Sequence, residues 1–124
     1  MQVERHVVSI TTDASGDATA YTPVTTGRVL GVRVVVPGSG GIESTSDITI
    51  TAEATGESIL TLTNQNGSGS FYPRVGVHDA AGAAATLDGT RLLRDSVAVA
   101  NDRVKIVVAQ GGNAKAATIH VIVG

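Results

Sequence analysis

The chain ends on two alternating runs, one on each side of Gly111-Gly112-Asn113, and that pattern commits its last part to β structure. Val104, Ile106 and Val108 alternate with Arg103, Lys105 and Val107, while Ile119, Val121 and Val123 alternate with Thr118, His120 and Ile122. Period-two alternation places each set on one face of a strand. The two runs read as a hairpin folded back across the Gly-Gly-Asn turn. The second is apolar on much of both faces, so strand neighbours are expected on both its sides.

The rest of the chain repeats this grammar. Val3 to Thr12 and Ala18 to Thr22 read as strands around the turn cluster Asp13-Ala-Ser-Gly-Asp17, which makes residues 3–22 a second hairpin. Gly27 to Val36 is the strongest internal strand, with Leu30, Val32, Val34 and Val36 on one face and Val29, Arg33 and Val35 on the other. Pro37-Gly-Ser-Gly-Gly41 stops it. Ile48 to Ala54 alternates cleanly with polar residues and turns at Thr55-Gly-Glu57 into Ser58 to Thr63. Phe71 to Val77 reads as an edge or bulged strand because Pro73 removes a ladder donor. Between His78 and Thr90 an alanine-rich stretch competes with Gly82 and Gly89, which favour an ordered loop over a helix. Arg91 to Ala100 is a further strand.

About eight or nine short, mostly antiparallel strands within 124 residues predict an all-β chain: one compact sandwich over 1–124, jelly-roll-like as first choice. Spacing alone leaves an immunoglobulin-like sandwich open. With Tyr21, Phe71 and Tyr72 the sole aromatics, the core falls to Val, Ile, Leu and Ala, and a platform for stacking sugars or bases is disfavoured.

Charge narrows the function classes. Nine Lys and Arg stand against 11 Asp and Glu, scattered along the chain, so no basic face for nucleic acid is visible. Seven of the nine cations are Arg, whose planar guanidinium suits contacts between subunits. There is no cysteine, which removes disulfide and thiolate chemistry. The first residues lack the pattern of a signal peptide, and no apolar run is long enough for a spanning helix, so neither export nor a membrane partner is expected.

No motif announces a reaction. His6, His78 and His120 have no short metal-ligand spacing, although the fold could bring His6 and His120 together. His78-Asp79 lacks a Gly-x-Ser-x-Gly nucleophile elbow, and Pro37 to Gly41 lacks the lysine and helix of a phosphate loop. Asp13, Asp17, Glu43 and Asp47 lie in oxygen-rich loops without an EF-hand arrangement. The expectation is a non-enzyme with no cofactor, no metal site and no catalytic residue. Contact candidates are Arg74, His78, Asp79, Arg91 and Arg94, which flank the least regular segment.

Three segments carry a resemblance. Val3-Glu-Arg-His-Val-Val-Ser-Ile-Thr-Thr12 with Gly16-Asp-Ala-Thr-Ala-Tyr-Thr-Pro-Val24, Pro73-Arg-Val-Gly-Val-His-Asp79, and Ala100-Asn-Asp-Arg-Val-Lys-Ile-Val-Val-Ala-Gln-Gly-Gly-Asn113 with Thr118-Ile-His-Val-Ile-Val-Gly124 resemble small structural proteins of tailed-bacteriophage heads. The resemblance implies a capsid decoration or cement protein, made in the host bacterial cytoplasm and located on the virion surface. Its implied partners are the major capsid protein and other copies of itself, as a homo-oligomer or through symmetric contacts. The alternative is a tail, neck or fibre-associated β-module, a receptor-binding one included. That family supplies no active-site residues.

Overall fold

Valine and isoleucine at every second position are stiff at χ1 and pack well on a pleated surface, and they set both layers of this molecule. The computed structural model describes residues 2–124. The strands are β1 (Glu4–Thr11), β2 (Ala18–Tyr21), β3 (Thr25–Val35), β4 (Asp47–Ala52), β5 (Ser58–Leu62), β6 (Gly69–Phe71), β7 (Val75–Gly76), β8 (Arg94–Asp95), β9 (Val97–Asp102), β10 (Val104–Ala109) and β11 (Ala116–Val123).

One sheet has the order β1-β11-β3-β6, with β9 also on β3; the other has the order β2-β10-β4-β5; β7 and β8 form a separate pair. The named pairings are antiparallel. Successive strands at both chain ends change sheets, and the two orders together are jelly-roll-like. Two separate segments of β3 explain the forked edge: Val32 to Val34 pairs with β6, and Thr25 to Val29 pairs with β9. The core is aliphatic. Ile48, Ile50, Val104, Ile106 and Val108 from one layer meet Val29, Val34, Ile119 and Val121 from the other, all fully buried.

Both expected hairpins are corrected. β10 and β11 lie in opposite sheets, as do β1 and β2. Their connections are arches that carry the chain across the sandwich, so the apolar faces look at each other through the core. Gln110, Gly112 and Ala114 have positive φ in one arch and Gly16 in the other. The arches also brace one another, with the Gly111 amide donating to the Gly16 carbonyl at 2.9 Å. A Cβ on Gly16 would come within 3.0 Å of the Gly111 and Gly112 nitrogens, at a φ that L residues rarely adopt. The expected turn between Ile48–Ala54 and Ser58–Thr63 does give a true hairpin, β4 with β5. The terminal strand has its two neighbours, β1 and β3.

Three further expectations change in detail. In β3 a bulge at Leu30, opposite Ile122 and Val123, shifts the alternation, so Val29 shares the core face with Val32 and Val34. The strand expected over Phe71 to Val77 breaks at Pro73, leaving β6 as an edge piece and β7 beyond it. Arg91 to Ala100 likewise divides into β8 and β9, which brings the total among the described residues to eleven strands.

Residues 75–95 project as an arm. Val75 pairs with Asp95 and Gly76 with Arg94 at its base. Further out, the Val77 amide donates to Leu93, that of Leu93 to Ala85, and that of Ala85 to Val77, each at 2.9 Å, so three short segments close a small patch of their own. The alanine-rich stretch is a turn within this patch, not a helix.

Candidate functional site

All five contact candidates fall on or at the foot of this arm, and all are exposed. They do not converge. Arg74 donates through Nη1 to the carbonyls of Pro73 at 2.8 Å and Leu30 at 3.4 Å, fastening the arm to β3. Asp79 caps its own turn, with Oδ1 accepting the Ala81 and Ala83 amides at 2.9 and 3.0 Å. Arg91 pairs with Asp88 at 3.2 Å. The Asp88 carboxyl is held below the ordinary carboxylate range first by the Arg91 amide and then by the Thr90 amide. His78 and Arg94 stand on opposite stretches of the arm. What the arm does present is apolar. Leu87 is 70% exposed, and Tyr72 at its foot 71%, with Leu92 and Leu93 also uncovered. None of these residues belongs to the buried core of the sandwich.

A second feature lies on the outer face of the β1-β11-β3-β6 sheet. Arg5, His120, Arg33, Ser70 and Tyr72 surround a cavity of about 300 Å³ whose floor is Gly31, Val32 and Ile122. Strand register builds it. His120 sits opposite Arg33, and Arg33 opposite Ser70, in one row across three strands. The adjacent row runs Arg5, Ile122, Gly31. Arg33 is fixed by its Nη1, which donates to Ser70 Oγ at 2.6 Å. Gly31 keeps the floor open, since a Cβ there would meet the Tyr72 ring at 3.3 Å.

The pocket is cationic and without acid in its lining. Among the described residues neither Arg5 nor Arg33 is in an ion pair. Glu4, next to Arg5 in sequence, turns to the other side of β1 and lies 3.5 Å from His6. The histidines are therefore brought onto neighbouring strands but opposite faces: His6 reaches the Thr25 hydroxyl at 3.3 Å, and His120 faces the pocket. The described residues contain no group of three His, Cys, Asp or Glu side chains able to hold a metal. Asp13, from the oxygen-rich loops, caps its own turn by accepting the Ser15 and Asp17 amides.

Arg5, Arg33 and Ser70 are not among the contact candidates that the sequence marks. Arg33 was visible as a charge in an otherwise apolar strand, yet its convergence with Arg5 depends on both flanking β11. That order is a property of the fold.

No protein-family model and no curated protein matches the chain. A solved structure, the crystal structure of FLHE, is similar over 99% of this chain and 98% of that one, with 9% identity and a TM-score of 0.46.

Proposed function

We propose that this protein is a virion structural protein, a decoration or cement protein that binds the major capsid protein of a tailed bacteriophage and bridges its subunits. The observation that carries this reading is the arm over residues 75–95, which exposes Leu87 and leaves Leu92 and Leu93 partly uncovered. A sandwich with a fully aliphatic core supplies a rigid body, and the projecting arm supplies the grip. The sequence resemblance to phage head proteins names the surface gripped. A ligand that binds only the assembled lattice stabilises that lattice by mass action, which is the physical content of cementing.

The test is reconstitution. Shells of the virus assembled without this protein are incubated with it, sedimented, and challenged with heat. Stoichiometric binding with a raised temperature of shell rupture supports the reading. Binding confined to tails, seen by gold-labelled antibody on whole particles, rejects it in favour of a tail module.

A further inference from the structure

We propose that the pocket on the outer face of the β1-β11-β3-β6 sheet is a binding site for an acidic peptide segment, with Arg5 and Arg33 holding an Asp or Glu carboxylate. Charge complementarity identifies the occupant. The chain has a formal net charge of −2, yet here it sets two arginines and a histidine around one cavity with no carboxylate in the lining. Guanidinium groups left without an internal carboxylate are matched by a planar carboxylate, which accepts two parallel N–H bonds.

The geometry selects among anions. Arg5 and Arg33 lie on strands separated by β11, about 10 Å apart at the backbone. Both line the same cavity, beside the space that Gly31 leaves open. The cavity of about 300 Å³ holds one acidic side chain and part of its backbone. Ser70 fixes one face of Arg33 and leaves its other donors directed elsewhere. His120 adds a further ring nitrogen between the arginines. Ile122 and the Tyr72 ring supply apolar surface, which favours a peptide with an aliphatic neighbour beside its acid. Nucleic acid calls for a stripe of cations along a face, and this pocket is isolated. The backbone amides of β11, beneath the middle of the pocket, are engaged on both sides by β1 and β3, so this strand offers no nest of free N–H groups to phosphate.

The chemistry of the pocket stands by itself; placing the acidic segment on the capsid protein rests on the function proposed above. The two parts separate in one experiment. The ¹⁵N-labelled full chain is titrated with a capped Gly-Glu-Leu-Glu-Gly peptide and with its Gly-Gln-Leu-Gln-Gly counterpart. The expected result is amide shifts confined to residues near Arg5, Gly31 to Arg33, Ser70 to Tyr72 and His120 to Ile122. The glutamine peptide should bind at least about tenfold more weakly, the value of one charge-assisted pair. Arg5→Gln with Arg33→Gln should weaken the acidic peptide by a similar factor; the peptide comparison in the wild type needs no variant and stands even if that double variant misfolds. Equal binding of both peptides, shifts elsewhere, or equal competition by inorganic phosphate or a single-stranded oligonucleotide overturns the proposal. The double variant is then added to empty shells. Lost binding supports the capsid protein as the source of the segment, and full binding overturns that assignment while leaving the cement function intact. A wild type that binds the acidic peptide but not shells upholds the pocket and rejects the cement function.

Discussion

The Thr12 hydroxyl accepts the Lys115 amide at 2.9 Å across an interval of 103 residues, and so joins the two arches that carry the chain ends between sheets. The Thr12 amide donates to the Lys115 carbonyl at 2.8 Å. The same hydroxyl donates to the Gly112 carbonyl. Thr12 is 4% exposed, so water does not replace these partners when they are lost.

Thr12→Val keeps the shape and removes the hydroxyl. The half-buried Lys115 amide and Gly112 carbonyl then lose this partner, and the loss should be about 1–3 kcal/mol. Urea unfolding followed by far-ultraviolet circular dichroism measures it. A change below about 0.5 kcal/mol, the range of ordinary surface substitutions, would show that the arches do not depend on this residue.

Arg103 holds Glu53 through Nε and Nη2, at 2.5 and 2.6 Å, and its guanidinium lies 4.1 Å from the centre of the Tyr21 ring. The bond from Arg103 lowers the Glu53 carboxyl from its ordinary range, and raises Arg103 in return. A carboxyl lowered on folding contributes stability above its unfolded value and loses it as pH falls through the folded one. Resistance to urea should therefore decline below the ordinary glutamate range, and Glu53→Gln should flatten that part of the profile. Parallel profiles for the two proteins from pH 2 to 6 would contradict this.

The core is expected to be unforgiving. Ile106 is fully buried in the centre of β10, between β2 and β4. Ile106→Ala should cost about 2–5 kcal/mol through lost transfer energy and the cavity left behind. Chemical denaturation checks the value, and a cost under about 1 kcal/mol would mean the layers close over the gap.

The arm should separate folding from binding. Leu87→Ser with Leu92→Ser changes two exposed side chains. Stability should stay within about 0.5 kcal/mol, while shell binding in the sedimentation assay should fall sharply. Unchanged binding would remove the arm from the interface.

Much of the layer structure was readable because period-two alternation records which face is buried. Ile48 and Ile50, Val104, Ile106 and Val108, and Ile119, Val121 and Val123 all face the core as their spacing predicted. Pairing was less readable. Alternation in two successive runs is the same whether they lie side by side or face one another across a core, and only the backbone of the arch at Gln110 to Ala114 decides it. The bulge at Leu30 was hidden for a similar reason, since one inserted residue reverses the pattern without any compositional mark. The least regular segment did stand out, and it became the arm. The pocket did not, because Arg5, Arg33 and His120 are far apart in sequence and meet only through the order β1-β11-β3.

Counting copies in purified particles tests the cement function most directly. Quantitative mass spectrometry of virions, scaled to the major capsid protein, should find this chain on the order of hundreds per particle, as lattice symmetry requires of a component repeated over the shell. A handful of copies, or none, would contradict it.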